Sequence, residues 1–326
     1  MTELDHFQPP DLQASAPEIE LGLSRVGVTG LSRAIPLRGR ATEVLVVAEI
    51  ECSVDLPPNR KGVHMSRFPE LFASTIDEVV VGAAFPVEEL AAHLAAAILV
   101  RQEALRAEVK IVARLPLERT TPVSRLATQE LVRLIGIAAA GQAGVRRVAG
   151  VEATGINACP CAQGLVRGQA AERLLEAGFG GGEVERILEL VPLATHNQRG
   201  RGTLLVGTEQ AVDAERLVEL VERSMSSPVY GLLKRPDELF VVEHAHLQPR
   251  FVEDSVRAAL HGALDAYPEL DDGDLLLSRQ VNLETIHTHD VTAERSGTVG
   301  ELRAELRGER PGAPPTELRD WLAQAC

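Results

Sequence analysis

From residue 43 to 56 the chain alternates, with Ile50, Cys52, Val54 and Leu56 set against Glu49, Glu51, Ser53 and Asp55. A two-residue period sends successive side chains to opposite faces, so the segment predicts a strand with one wet face. Pro57, Pro58, Asn59 and Gly62 then mark a loop. Pro86 opens a helix in which Val87, Leu90, Leu94 and Ile98 recur at three and four residues and so share one side. Alternation returns over 108–115, with Val109, Ile111, Ala113 and Leu115 on one face.

The second half follows the same grammar. Strand-like runs cover 146–156 and 202–207, and Asp213 caps a helix striped by Leu217, Val218, Val221 and Met225 and stopped by Pro228. Residues 238–245 read as a strand, Pro249 opens a helix with Phe251, Val252, Val256 and Leu260 inward, and 274–286 alternates as a closing strand. Between them, 168–191 reads as an inserted helical hairpin hinged at the glycines of 178–182. No Gly-Lys-Ser/Thr follows those glycines, so they make no phosphate loop. The pattern predicts an α+β duplication. A Pro-rich arm covers 1–18, a first module 19–142, and a second module 143–326 holds the insert 168–191 and a C-terminal tail, with the boundary near 140–145.

Composition narrows the function classes. The chain has 326 residues, 45% hydrophobic and 25% charged, which excludes disorder for most of it. Its 33 basic and 47 acidic side chains leave a net charge of −14, which argues against nucleic acid as a partner. A polyanionic metabolite would need a local cluster of cations. The run 90–100 is mostly alanine and too short for a membrane span, and residues 1–10 lack the pattern of a secretory signal, so no membrane association and a cytoplasmic location are expected.

Four cysteines make no disulfide framework, but Cys159 and Cys161 flank Pro160 at the end of a predicted strand. Thiolate, imidazole and carboxylate are the donors a borderline divalent cation takes, and Cys159, His196 and Glu238 supply one of each in the second half. A pair of inert buried thiols is the alternative. His244 and His246, and His287 and His289, are each two apart and would share a strand face, either as exposed polar residues or as proton carriers near neutral pH. Lys61, His64, Ser66 and Arg67 put two cations, an imidazole and a hydroxyl in one short segment, a phosphate grip or a solvated basic turn. Glu253 and Asp254 stand at a helix start, where carboxylates are favoured whatever their function.

Six blocks in order carry a resemblance: Gly62-Val63-His64-Met65-Ser66-Arg67, Ala158-Cys159-Pro160-Cys161, His196-Asn197-Gln198-Arg199, Arg235-Pro236-Asp237-Glu238, Arg250-Phe251-Val252-Glu253-Asp254 and Ile286-His287-Thr288-His289. Together they resemble GTP cyclohydrolase IB, the prokaryotic type, over about 18–306. The insert after Cys161 and the context around His196 are similar to the archaeal branch, whose product is a cyclic phosphate.

The resemblance implies tandem tunnelling-fold modules, each an antiparallel sheet with two helices, assembled as a homotetramer. It implies one divalent metal, Zn, Fe(II) or Mn(II), on Cys159, His196 and Glu238 at a subunit interface, and GTP anchored through its purine by Glu253. Hydrolytic opening of the guanine imidazole ring would release formate and give 7,8-dihydroneopterin triphosphate, the first step of folate or another pterin pathway. Cys159, His287, His289 and His64 are the expected catalytic residues. Ser66, Arg67, Lys61, Arg199, Lys234 and His246 are expected to contact the rest of the substrate. Two other readings stay open: a metal-dependent hydrolase of another purine or pterin, and a nucleotide-binding or metal-buffering protein without turnover.

Overall fold

A computed structural model describes residues 12–38, 43–82, 86–310 and 312–325. The first eleven residues of the expected arm lie outside that range. The class is α+β, with antiparallel strands and paired helices, as expected. Residues group into two compact units, Met1–Val112 with Gly136–Arg147 and Leu322–Cys326, and Ala113–Ile135 with Val148–Trp321.

In the first unit β1 (Leu23–Arg38) pairs antiparallel with β2 (Glu43–Leu56), Val26 opposite Val54 and Ala34 opposite Val47. Strands β3 (Arg106–Thr120), β4 (Ala127–Gly141) and β5 (Gly144–Ala158) follow β2 in strand order and carry residues of both units. Residues 140–145, where the sequence suggested a module boundary, include the turn between β4 and β5, and the two units interleave along β3 to β5. Helices α1 (Arg67–Gly82) and α2 (Val87–Gln102) pack together. The α2 stripe of Val87, Leu90, Leu94 and Ile98 is buried, as are Ile50, Cys52, Val54 and Leu56 on β2 and Val109 and Ile111 on β3. Burial of such side chains stabilises by about 1.5–3 kcal/mol each relative to exposure. Part of the arm is tied down: the N–H groups of Lys61 and Gly62 donate to the carbonyls of Ser15 and Gln13 at 2.9 and 3.2 Å.

In the second unit β6 (Asn197–Gly207) pairs antiparallel with β5, and the two-residue β7 (Ser227–Pro228) also pairs with β5. β8 (Leu275–Leu283) pairs with β6, and β9 (Val291–Thr298) with β8, both antiparallel. The helices are α3 (Pro160–Glu176), α4 (Gly181–Leu190), α5 (Ala214–Ser224), α6 (Arg235–Leu247), α7 (Val252–Ala266), α8 (Val299–Leu306) and α9 (Leu318–Ala323), the last ending in the first unit. Asp213 caps α5 as expected, accepting from the N–H groups of Glu215 and Arg216 at 2.9 and 3.4 Å. Leu217, Val218, Val221 and Met225 are buried. Gly155 of β5 makes room there, since a Cβ would stand 2.6 Å from Cε of Met225 and 2.9 Å from the Ser227 carbonyl.

Four sequence expectations are corrected. The helical hairpin starts at Pro160, not 168, because Cys159 caps and Pro160 opens α3. Residues 238–245 are helical, within α6, because Pro236 sits in its first turn and Asp237 caps it. The strand expected over 274–286 ends at Leu283, and β9 lies beyond it as the outer strand. Phe251 precedes the first turn of α7 and is 44% exposed, so the inward stripe begins at Val252.

Candidate active site

The end of β5 is pinned before it delivers Cys159. Asn157 is fully buried; its amide nitrogen donates to Oδ1 of Asn282 at 2.9 Å and to Oγ of Ser255 at 3.2 Å. Its amide oxygen accepts the Ser226 N–H at 3.1 Å, and the Ser226 hydroxyl accepts the Ala158 N–H at 3.1 Å. One side chain thereby joins β5 to β8, α7 and the segment before β7. Buried polar groups left unpaired cost about 1–3 kcal/mol, so this satisfied set specifies one placement for the residues that follow.

Cys159 then caps α3, its sulfur accepting from the Ala162 N–H at 3.5 Å, and its own N–H donates to the His196 carbonyl at 3.1 Å. The Thr195 hydroxyl donates to the Cys159 carbonyl at 2.8 Å. The backbones of the two residues expected to share a metal are thus bonded to each other. Cys161 is exposed in the first turn of α3. Cys52, in contrast, is buried on β2, and burial pushes its thiol up to about 12, which keeps it protonated and inert.

Nδ1 of His196 lies 3.0 Å from Oε1 of Gln198. An amide oxygen only accepts, so this contact uses Nδ1 as the donor, and in the neutral ring that tautomer leaves Nε2 free to accept or to ligate. Fixing one ring nitrogen in this way is how a histidine is prepared as a metal ligand or proton acceptor at the other. Glu284, which sequence reasoning passed over, places Oε2 3.7 Å from the same Nδ1. That oxygen is buried and has no hydrogen-bond partner. The ring of His287 stands edge-on to His196 at 6.5 Å, and His287 and His289 stack at 5.3 Å. Both lie in the loop after β8 and are exposed, so a loop and not a strand face brings them together.

The other expected residues are placed as follows. His246 is on α6, its Nδ1 donating to the Val242 carbonyl at 2.7 Å, with Nε2 3.4 Å from the Thr195 carbonyl. Gln163 of α3 spans the same region, donating to the carbonyls of His246 and Leu193 at 2.7 and 3.1 Å. Glu238 and Lys234 are exposed at the start of α6. Beside them Asp237 is fully buried and accepts from Val123 N–H, Ser124 N–H and Lys234 N–H at 2.9, 2.8 and 3.0 Å, and from the Ser124 hydroxyl. Burial alone would raise its pKa, but these hydrogen bonds, the Ser124 hydroxyl first, hold the carboxyl well below the usual range. Arg199 is exposed on β6 opposite Ile156 and Leu283.

Of Glu253 and Asp254, only the second makes helix-start contacts. Asp254 takes the helix-start task, accepting the Phe251 N–H at 3.1 Å and pairing with Arg257 at 3.3 Å. Glu253 is exposed and lines a groove of about 440 Å³ with Val256, Leu260 and Arg295. In the first unit, Lys61, His64 and Ser66 lead into α1, whose first residue Arg67 donates to the Arg101 carbonyl at 3.1 Å. The His64 carbonyl accepts from Gln102 at 3.1 Å. This segment therefore leads into the N-terminus of a helix, which favours anions.

Among the described residues no three His, Cys, Asp or Glu side chains converge as a metal-binding group. A backbone hydrogen bond joins Cys159 to His196, whereas no hydrogen bond or ion pair links Glu238 to either. The donor chemistry of the pair suits a borderline divalent cation, and the open Nε2 and the unpartnered Glu284 oxygen are both groups that an added ligand would complete.

A family model described as type I GTP cyclohydrolase folE2 matches residues 10–293. The chain belongs to that family. The GTP cyclohydrolase MptA of Methanococcus maripaludis is 39% identical over 311 residues, covering 92% of this chain and 99% of that protein. That of Methanothermobacter thermautotrophicus is 39% identical over 305 residues, 91% and 96% of the two chains. The resemblance read from the six blocks therefore holds at the level of type I GTP cyclohydrolases. Among solved structures, a uricase from Arthrobacter globiformis is similar with a TM-score of 0.49 at 10% identity, covering 91% of this chain and 99% of that one. Cys159, His196, Glu253 and His287 all lie within the span of the folE2 match, as does Glu284.

Proposed function

We propose that this member of the folE2 family is a GTP cyclohydrolase of type IB, opening the imidazole ring of guanine at C8 and releasing formate. What carries the reading is the cluster at the end of β5, where Cys159 is bonded to the His196 backbone, His196 keeps Nε2 open, and His287 and Glu284 stand beside it. Family membership supplies the substrate.

Cys159 and His196, with Glu238 as the third donor, would hold one divalent cation, Zn, Fe(II) or Mn(II). Such a cation lowers the pKa of bound water and makes hydroxide available at neutral pH. The chain's own residues do the rest. Glu253 accepts hydrogen bonds from the N1–H and exocyclic amine of guanine and so orients C8. His287, stacked on His289, gives a proton to the ring nitrogen that leaves C8, and His289 exchanges it with water, since both rings are exposed. Gln198 orients His196, and Glu284, whose unpartnered oxygen lies 3.7 Å from that ring, would accept the proton that the attacking water gives up. Arg67, Lys61, Ser66 and His64 at the start of α1, with Arg199 and Lys234, neutralise the triphosphate, and His246 supports Thr195 from behind.

The homotetramer and the shared interface site belong to the same proposal and rest on the family resemblance. For the product, two ends are open after ring closure. The primary reading is 7,8-dihydroneopterin triphosphate; the hairpin α3–α4 after Cys161 and the MptA relatives favour the 2′,3′-cyclic phosphate as the second. The test is anaerobic incubation of metal-reconstituted protein with GTP, following the purine-to-pterin absorbance change and the mass of the product. Chelation is expected to stop the change and Cys159→Ala to lose both metal and turnover. Full metal content with normal turnover in Cys159→Ala would remove Cys159 from the site.

A further inference from the structure

The second unit carries a groove of about 460 Å³ between α5 and α7, which shares only His261 with the groove that Glu253 lines and holds none of the residues given a role above. α5 presents Arg216, Leu220 and Arg223 to it, spaced by four and then three residues and so on one face. α7 presents Ala258, Gly262 and Asp265 at the same spacing. At Gly262 the helices approach closely, since a Cβ there would stand 3.2 Å from Cδ2 of Leu220. The floor is thus apolar and small, and the walls are charged.

Arg250 lines the same groove, its guanidinium oriented by donating to the Ser224 carbonyl at 3.0 Å. Against three guanidiniums the lining offers one carboxylate, Asp265, and that is shared with His261, whose Nδ1 lies 3.1 Å away. Arg223 reaches its helix neighbour Glu219 only at 4.0 Å, with 80% of its side chain exposed. Among the described residues no ion pair neutralises Arg216. On a chain of net charge −14, this excess of positive charge is local and runs against the average field.

We propose that this groove is an accessory polyanion site that takes the polyphosphate group of a small phosphorylated ligand. Guanidinium forks match phosphate oxygens in pairs, which a diffuse surface charge does not do. The volume lies in the range of small-ligand sites and exceeds what a single phosphate fills. The apolar floor of Leu220, Ala258 and Gly262 leaves space for the organic part of the ligand beside the charged walls.

The experiment is calorimetric titration of the full-length protein with inorganic tripolyphosphate, comparing the parent with Arg216→Ala/Arg223→Ala. Both positions are exposed on α5, and thermal melting checks that the double variant stays folded. The parent is expected to bind one more equivalent per chain than the double variant, or to bind that equivalent at least about tenfold more tightly. That affinity should fall as salt rises. Arg216→Glu alone should weaken the same class of sites more than Arg216→Ala does, because it adds repulsion to the loss of a partner. Superimposable isotherms for parent and double variant, or equal effects of Glu and Ala at 216, would overturn the proposal. ATP in place of tripolyphosphate tells whether the floor adds to binding: tighter binding of ATP at the arginine-dependent site assigns the base to it, and equal binding assigns the site to phosphate alone.

Discussion

Neighbouring carboxylates in this chain have opposite surroundings, one bonded to the backbone and the next exposed. Asp254 caps α7 and pairs with Arg257, whereas Glu253, one residue earlier, faces a groove and makes no bond to its own helix. Asp237 is consumed by four hydrogen bonds, while Glu238 beside it is exposed. The account predicts that Glu253→Gln weakens GTP binding at least about tenfold, roughly 1.4 kcal/mol, because an amide nitrogen cannot accept from the guanine donors. Metal content should stay unchanged. Equilibrium dialysis with GTP checks this, and parental affinity in Glu253→Gln would move the purine anchor elsewhere. Motifs along the chain pointed to Glu253, Cys159, His196 and Glu238 as candidates. They missed Asn157 and Glu284 because a buried polar residue is recognised by partners distant in the chain, here Asn282 for Asn157 and His196 for Glu284.

At the scale of elements, regular hydrophobic spacing was the legible part. α2, β2 and α5 were read correctly because each buries one clean face, with a period of 3.6 or 2. α6 was misread as a strand because its apolar run, 239–242, has no helical stripe and only Val241 and Ala245 among its apolar residues are buried. What makes it a helix is long-range: Asp237 binds the backbone of Val123 and Ser124 as well as that of Lys234. A similar tether holds α8, where Thr298 and Glu301 form a reciprocal cap and Glu301 also accepts from Thr316 N–H and Oγ1 at 3.2 and 2.6 Å. Burial would raise the Glu301 pKa from 4.5, but the bonds from Thr316 and Thr298 and the charge of Arg295 bring it below that value. A depressed carboxylate stabilises the fold above its unfolded pKa and loses that contribution as pH falls through the folded one. Glu301→Gln should therefore cost about 1 kcal/mol near neutral pH and progressively less below about pH 4. Urea midpoints across that range check the sign; a penalty that grew in acid would contradict it.

For the whole molecule, the sequence indicated two α+β halves and six motif blocks in order, and the family match over 10–293 agrees with that extent. The cations at 61–67 and the Cys159 cluster belong to different units, and whether one site draws on both is a question for experiment. Two inactive variants make this testable. Mixed oligomers of Arg67→Ala and Cys159→Ala subunits should regain part of the parental activity, because one site in the mixture then draws both intact contributions. Verified mixed oligomers without activity would confine the site to a single chain. Among the described residues no helix is long and apolar enough to cross a membrane.

The central claim is that the cluster at the end of β5 opens guanine at C8, and the carbon itself is the most direct witness. GTP labelled at C8 should be incubated anaerobically with the metal-reconstituted full-length protein, and labelled formate counted against GTP consumed. The account predicts about one formate per GTP with a pterin as the other product, and none from Cys159→Ala. GTP that is bound but returned intact, or consumed with its C8 retained in the product, would contradict it.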